Sequence, residues 1–445
     1  MQPQMEAVPE HEIAASTVAP LEAKSSWNLA LKIAFRFGLS YFVLFCFPFP
    51  LDYLPWEKLT AWYDAAWMKI VPWVGLHLLH LAQPIIPLSN GNGDTSYGYV
   101  KSLCFLILAA LITIVWSVLD RKRKNYHTLH QWCRLYLRLF LGGTLLVYGG
   151  FKVIPAQFPP IFQWRYLETF GDSSPMGLLW TFMSASPSYT IFAGAVEMLG
   201  GILLFVPRLV TLGALISIAA MTNVFILNMS YDVPVKLFSF HLLLLGIFLI
   251  LPELRRLASF FVLNRPTEPS APELRFGRRW LNRVFLIGQI ALGLILAGYN
   301  LHAANLGLKS FATGNSAAKP PLRGTWAVDE FALDGQVRPP LLTDNARWQK
   351  AIIETTGGLM VQSMDGKLLR MPGKMDPDKK TLDLTRRDDA RWKANLSYAF
   401  PATGIMTMDG QMNGQRAHIT LHQLDGKYLL NTRGFHWING APFNR

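Results

Sequence analysis

Seven long apolar runs, separated by polar loops, occupy most of the first three hundred residues. They lie at 33–47, 100–119, 135–154, 189–206, 209–229, 237–251 and 284–301. Their length and composition are those of membrane-spanning helices. The pattern therefore predicts an α-helical transmembrane bundle of about seven spans. The segment at 51–99, rich in Trp and Pro, is predicted to form interfacial helices instead of a span.

From residue 322 onward the pattern changes to short strands with alternating apolar and polar positions. Four dipeptides typical of type I′ hairpin turns interrupt it: Asp334-Gly335, Asp365-Gly366, Asn413-Gly414 and Asp425-Gly426. About eight or nine short strands follow from this spacing. A small antiparallel β-barrel is the fold that they predict.

These patterns divide the chain into seven predicted parts. They are a disordered tail (1–26), two transmembrane helices with an interfacial segment (27–132), a four-helix membrane core (133–252), an Arg-rich cytoplasmic loop (253–283), a seventh span (284–303), a linker (304–321) and a barrel-like domain (322–445).

One acidic residue, Glu197, lies in the middle of the apolar run 189–206. A charge at the centre of a spanning helix costs roughly 2.5–3.5 kcal/mol, so Glu197 is predicted to face the bundle interior or a wet cavity. Gly194 and Gly201 lie three residues before it and four after it. They put small residues on the same helix face, which allows close contact with another helix.

Further polar residues lie near the same membrane surface as Glu197. At 1.5 Å per residue, Glu197 is about 12 Å deep, Asn223 about 9 Å and His241 about 6 Å. The depths predict a polar funnel that opens outward. The catalytic candidates are Glu197, Lys152 and His241, and the candidates for cofactor binding are Asn223, Asn228, Asp232 and Lys236.

Each candidate also has a structural interpretation. Lys152 would extend to the lipid headgroups, Lys236 would anchor at the interface or pair with Asp232, and His241 would be a packing residue. The two asparagines would join helices by hydrogen bonds, and Glu197 would belong to a structural ion pair.

The formal net charge of +13 is distributed beside the apolar runs, chiefly at 121–124, 208 and 255–283. Basic loops of this kind face the cytoplasm and contact anionic lipid, so we expect a lipid bilayer as the partner and no nucleic acid. The charges predict a multi-pass protein of the bacterial inner membrane, with a cytoplasmic N-terminus and a periplasmic C-terminal domain. No metal site is predicted, because the three cysteines have no CxxC spacing and His418 and His422 lie about 13 Å apart on a strand.

Residues 134–251 resemble the DoxX/DoxD-like family of membrane proteins. The motifs that carry the resemblance are R-L-Y-L-R-L-F-L-G-G from Arg134, Y-G-G-F-K ending at Lys152, A-V-E-M-L-G-G-I-L-L around Glu197, and N-V-F-I-L-N from Asn223 to Asn228. The family's association with thiosulfate:quinone oxidoreductase and redox-stress complexes implies quinone-linked electron transfer. A quinone is thus the cofactor that the resemblance implies, although no cofactor motif is evident.

The C-terminal domain resembles the lipocalin or calycin pattern through R-G-T-W, ending at Trp326, and a late arginine, Arg433. The resemblance implies that Trp326 and Arg433 close one end of the barrel. Inward positions such as Met360, Met406 and Met408 would either line a hollow barrel or fill it.

Three functions remain open at this point. The first is a quinone-linked or redox-associated membrane subunit, in which Glu197 and His241 handle protons and Lys152 binds an anionic group. The second is non-enzymatic binding or transport of a lipophilic molecule held by the barrel. The third is a membrane scaffold for periplasmic protein partners. Whether the chain is an enzyme is left open.

Overall fold

The computed structural model describes residues 26–51, 57–87, 93–267, 270, 274–313, 321–441 and 443. The predicted disordered tail, except its last residue, lies outside these residues. Of the predicted linker, only 314–320 lies outside them; the prediction is wrong for 304–313, which continue the helix Arg279–Thr313. The chain divides into two compact units, Met1–Pro87 with Ser96–Tyr136 and Leu88–Thr95 with Leu137–Arg445.

The first unit is helical. It contains α1 (Leu29–Cys46), α2 (Glu57–His77), α3 (Ser96–Leu119) and the first part of α4 (His127–Val153). Helix α1 packs against α3. Among its described residues, the Trp-rich segment contributes helix α2, which has Pro72 in its interior and is not one of the helices long and apolar enough to cross a membrane.

The second unit continues α4 and adds six described α-helices before its β-domain. They are α5 (Pro175–Ala185), α6 (Pro187–Leu204), α7 (Val210–Ser230), α8 (Lys236–Ile250), α9 (Leu254–Phe261) and α10 (Arg279–Thr313). Ser174 and Ser186 cap the N-termini of α5 and α6, each followed by a proline whose missing N–H costs nothing in the first turn. Helix α7 packs against both α6 and α8.

Six helices of the described ranges are long and apolar enough to cross a membrane. They lie at Leu29–Cys46, Ser96–Leu119, Pro187–Leu204, Pro207–Ser230, Lys236–Phe261 and Arg279–Phe311. The third predicted span is present as α4, but Arg134, Arg138 and Lys152 lower its hydropathy and it is not one of the six. The helical part is consistent with a multi-pass membrane protein.

Helices α4 and α6 cross at glycines in antiparallel register. A Cβ added to Gly149 would lie 2.7 Å from the carbonyl oxygen of Gly194, and a Cβ on Gly201 would lie 2.9 Å from that of Gly142. Seven residues separate the two glycines on each helix, so the contact repeats after two turns. The small residues flanking Glu197 therefore bring the two backbones together.

The C-terminal domain is a closed antiparallel β-barrel. Its strands are β1 (Gly324–Leu333), β2 (Gln336–Val337), β3 (Trp348–Thr355), β4 (Gly358–Ser363), β5 (Leu368–Asp376), β6 (Thr381–Thr385), β7 (Lys393–Ala402), β8 (Ile405–Met412) and β9 (Gln415–Gln423). Neighbouring strands pair in chain order, and β9 pairs with β1. The ring has eight strands, because the two-residue β2 pairs only with the end of β1. The predicted fold class is confirmed.

Three of the four predicted turn dipeptides connect strands. Asp334-Gly335 and Asn413-Gly414 have positive φ at both residues, as type I′ turns require. In the turn between β4 and β5, only Gly366 has a positive φ, so that hairpin is of another type. The fourth prediction is wrong: Asp425-Gly426 follows β9 and leads into the short helix α11 (Leu429–Thr432).

The barrel interior is filled with apolar side chains. Trp326, Met406 and Met408 are fully buried in a continuous core, whereas Met360 is only partly buried and lies outside that core. Eight strands give an interior just wide enough for side chains to fill. Arg433 lies beyond the last described strand: it follows α11, and its guanidinium contacts Asn439 and the ring of Phe443.

The barrel contacts the segment that joins α4 to α5. The backbone N–H of Gln163 donates to Oε1 of Glu354 at 2.9 Å, and the ring of Tyr166 stacks on that of Tyr428 with centroids 4.5 Å apart. Burial at this contact raises the pKa of Glu354 above its ordinary value.

Candidate functional site

Lys152 of α4 and Glu197 of α6 form a closed ion pair. The Lys152 ammonium donates to both carboxylate oxygens, at 2.6 Å to Oε1 and 2.7 Å to Oε2. Only 9% of the lysine side chain and 3% of the glutamate side chain are exposed. The two charges therefore neutralise each other inside the helical core.

The direction of the two helices explains why these side chains meet. Lys152 lies three residues after Gly149 on α4, and Glu197 lies three residues after Gly194 on α6. Because the two helices are antiparallel, these steps lead in opposite directions, and the two backbones are roughly 9 Å apart along the helix axes. Side chains tilt toward the N-terminus of their own helix, and on antiparallel helices these two tilt toward each other. Lys152 consequently extends to the carboxylate and not to the lipid headgroups.

The ion pair forms part of the wall of a cavity of about 110 Å³. Most of the remaining wall is apolar or aromatic, with residues from α4 to α8. Apart from the ion pair, the polar groups at the wall are Tyr148, Gln157, Tyr189, Asn223, Asn228 and Ser239. An apolar wall with a few converging polar groups is the ordinary form of a small-molecule site.

A cluster of apolar side chains closes the end of the cavity near the start of α6. Phe158, Leu179, Met183 and Val233 are all buried and pack against each other there. All four also line the cavity. We call this cluster the roof.

Two of the predicted cofactor-binding residues, Asn223 and Asn228, line the cavity together with the two predicted catalytic residues Lys152 and Glu197. Asn228 is buried on α7, and its Nδ2 donates to Oγ of Ser239 on α8 at 3.0 Å. It thus connects two helices and faces the cavity at once.

The other three predicted residues are not part of the cavity wall. The ring Nδ1 of His241 lies 2.7 Å from the carbonyl oxygen of Leu237, one turn back in α8. Asp232 is exposed and pairs with Lys236 at 2.7 Å. Asp94 accepts the backbone N–H groups of Lys236 and Leu237, and so caps α8.

Sequence reasoning missed several wall residues, of which Tyr148 and Gln157 are the most polar. Tyr148 precedes Lys152 by four residues, so helical spacing places both on one face and would have indicated it. Gln157 follows the end of α4 in an irregular segment, where no periodicity applies. Its buried Oε1 has no donor among the residues that the structure describes.

The two histidines of β9 each pair with an aspartate on a neighbouring strand. Nδ1 of His418 lies 2.6 Å from Asp409, and Nδ1 of His422 lies 2.7 Å from Asp329. Within the described ranges, no three His, Cys, Asp or Glu side chains come together as metal ligands.

Apolar helices around a cavity with a buried ion pair, followed by a closed β-barrel, define a class of multi-helix membrane protein with a globular β-domain. No protein-family model and no solved structure matches the chain. Over 124 residues, 28% of its length, the chain is 31% identical to the uncharacterized protein YwoB of Bacillus subtilis (strain 168), and the match spans 79% of that protein. The chain belongs to the same family as YwoB.

Proposed function

We propose that this protein binds a lipophilic molecule with a compact polar head in the helical cavity, and that Lys152 and Glu197 bind that head. A quinone is the class of molecule that the DoxX-like motifs imply. The observation that carries the proposal is the buried ion pair at the wall of a mostly apolar cavity.

Energetics favour a functional reason for the pair. Replacing a buried ion pair by apolar residues of similar volume is often neutral or stabilising, so stability alone is a weak reason to keep two charges in a membrane core. Ionisable groups within membrane helices usually serve ligand or proton pathways. The alternative is a purely structural pair in a scaffold protein. It is favoured by the two hydrogen bonds that Lys152 donates to the carboxylate oxygens of Glu197.

The size of the cavity limits the ligand. Its volume of about 110 Å³ is somewhat smaller than the roughly 150 Å³ of an apolar cavity known to hold benzene. One small ring or a short length of acyl chain is the most that fits. The tail of a longer molecule would have to extend out of the cavity.

The polar groups of the wall fit a quinone head. Its carbonyl oxygens accept hydrogen bonds, which the Lys152 ammonium and the side-chain amides of Asn223 and Asn228 can donate. Reduction of a bound quinone takes up two electrons and two protons, and Lys152 with Glu197 can deliver a proton to the oxygen that receives negative charge. The sequence has no cofactor motif, so the electrons would come from a redox protein partner.

The orientation belongs to the same proposal. The basic loops at 121–124, 208 and 255–283 would face the cytoplasm of a bacterium, and the barrel would face the periplasm. A periplasmic redox protein could then dock on the barrel.

A second candidate function is non-enzymatic binding or transport of a lipophilic molecule, which needs no electron donor. The filled barrel core favours the helical cavity over the barrel as its binding site.

Mass spectrometry of the full-length protein in lipid nanodiscs, loaded with decyl-benzoquinone, tests the proposal. We expect the quinone to remain bound to the wild type and to be lost in Glu197→Gln. Glu253→Gln is the matched control, because Glu253 is also buried and pairs with an arginine, Arg256. A wild type that retains no quinone contradicts the proposal. Retention of phospholipid alone supports the second candidate.

A further inference from the structure

The cavity has an opening on the side of the helical core. Asn223 of α7 and Tyr189 of α6 line the cavity and are exposed as well, so the wall is incomplete where these two helices face outward. Ala193, one turn after Tyr189 on α6, also lines the cavity and packs against the roof. The roof, by contrast, covers the end of the cavity with buried apolar side chains.

The depth of Asn223 determines what this opening faces. Asn223 lies seven residues before Ser230, the last residue of α7, which is about 10 Å along the helix. It belongs to the apolar span Pro207–Ser230. At that depth an exposed group faces acyl chains, not water.

Asn223 is an unusual residue for a lipid-facing position. Its amide has no hydrogen-bond partner among the residues that the structure describes, and an unsatisfied amide in hydrocarbon costs several kcal/mol. A passing or bound molecule with a polar head would satisfy the amide. A polar group at the edge of an apolar cavity can bind the polar head of such a molecule as it enters.

We propose that the gap between α6 and α7 at Tyr189, Ala193 and Asn223 is a lateral portal, through which the ligand enters from the bilayer. The inference rests on the proposed function and narrows its ligand class to molecules dissolved in the membrane, with an apolar tail and a small polar head. The head reaches the Lys152–Glu197 pair while the tail stays among the lipids.

Tyr148 of α4 also lines the cavity and is partly exposed, and its ring lies 6.1 Å from that of Phe238 on α8. Tyr189 at the portal likewise pairs with Phe182, with ring centroids 5.4 Å apart. The portal differs from the α4–α8 side in the exposed amide of Asn223, which would attract a polar head.

Photolabelling of the full-length protein in nanodiscs tests the portal. A decyl azidobenzoquinone is added, and the initial rate of labelling of cavity residues is measured. Ala193→Trp, which fills the portal, should lower the rate at least about tenfold, equivalent to 1.4 kcal/mol of barrier. The matched control is Ile191→Trp, at an exposed position of the same helix outside the cavity wall, and should leave the rate nearly unchanged. Equal rates in the two variants overturn the portal.

A second measurement tests the portal independently of any ligand. A nitroxide is attached at Asn223→Cys in vesicles, on a background in which the three native cysteines are serine. We expect frequent collisions with oxygen and few with a water-soluble nickel chelate, as at the lipid-facing control Ile226→Cys. Frequent collisions with the chelate would mean a water-filled entrance and overturn the portal. A wild type that takes no photolabel, with the nitroxide facing lipid, contradicts the proposed function instead.

Discussion

At the scale of single residues, the Lys152–Glu197 pair determines what the helical core can do. Each charge is held by the other, with the ammonium centred on both carboxylate oxygens. Removing one partner leaves an uncompensated charge among apolar side chains, whereas removing both leaves none. The effect of the pair on stability and its effect on ligand binding can therefore be measured separately.

Lys152→Met should lower the free energy of unfolding by about 3–5 kcal/mol, because Glu197 loses its counter-charge. The double variant Lys152→Met with Glu197→Leu should recover most of that loss and still fail to bind quinone. Thermal unfolding in detergent and quinone retention measure the two effects. Lys427→Met is the control and should cost no more than about 1 kcal/mol, because Lys427 and its partner Asp425 are both exposed.

If Lys152→Met is no more costly than Lys427→Met, the pair is not a closed buried unit. If the double variant still binds quinone, the pair does not bind the quinone head and its role is structural.

The sequence predicted the depth of a residue along its helix more reliably than the side of the helix on which the residue lies. The predicted funnel brought Lys152, Glu197, Asn223 and Asn228 to one cavity, and all four line it. His241 has a suitable depth, but its ring Nδ1 is directed to the carbonyl oxygen of Leu237 in its own helix. Rotation about the axis depends on packing, which the spacing of a single polar residue does not reveal.

At the scale of elements, the α4–α6 crossing sets the geometry of the site. The four glycines bring the backbones close enough for a lysine and a glutamate on different helices to pair. The glycines and Glu197 are visible in the sequence, but their antiparallel register depends on where each helix ends.

Gly194→Ala should destabilise the protein by about 1–3 kcal/mol and weaken quinone binding. The added methyl group would lie 2.6 Å from both the carbonyl oxygen of Gly149 and Cβ of Lys152, so the helices must separate. Gly298→Ala in α10 meets nothing within 4 Å and should change stability by less than about 1 kcal/mol, in the stabilising direction. Thermal unfolding of the two variants compares them, and equal shifts would refute the close contact.

The errors in the barrel also arise at this scale. Asp-Gly and Asn-Gly dipeptides specify a local backbone turn, and the same turn serves after a last strand as well as between two strands. Only pairing with a further strand distinguishes the cases, and after Gly426 the chain forms a helix instead. The eight-strand ring could be predicted because its eight strands follow one another in seven simple antiparallel pairings.

At the scale of the whole molecule, the barrel is attached to the segment that also supplies part of the roof. Glu354 accepts the backbone N–H of Gln163, five residues after the roof residue Phe158. The contact therefore lies close in sequence to the roof, although Gln163 and Glu354 do not themselves line the cavity.

The Gln163–Glu354 contact should weaken as the pH rises. The Gln163 N–H by itself favours the carboxylate, but burial outweighs it and leaves the folded-state pKa of Glu354 raised. The buried arrangement is therefore most stable below the ordinary pKa and loses that stabilisation as the pH rises through the raised value. Hydrogen exchange at the Gln163 amide, compared with Glu354→Gln at each pH, measures this effect. The ratio of protection in wild type to variant should fall with increasing pH; a constant ratio would contradict the prediction.

The proposed orientation predicts the sides of two exposed positions. A cysteine at Lys122 should react with an impermeant maleimide only after the inner membrane is opened, and a cysteine at Asp388 of the barrel should react in intact spheroplasts. The reverse pattern would invert the topology and place the barrel in the cytoplasm.

The central claim is that a membrane-dissolved molecule binds beside Lys152 and Glu197. Its most direct test is to map, by peptide mass spectrometry, where decyl azidobenzoquinone attaches to the full-length protein in nanodiscs. We predict attachment to cavity residues such as Tyr148, Trp180 and Phe238, competed by unlabelled quinone and abolished in Glu197→Gln. Attachment confined to the barrel, or unchanged in Glu197→Gln, would contradict the claim.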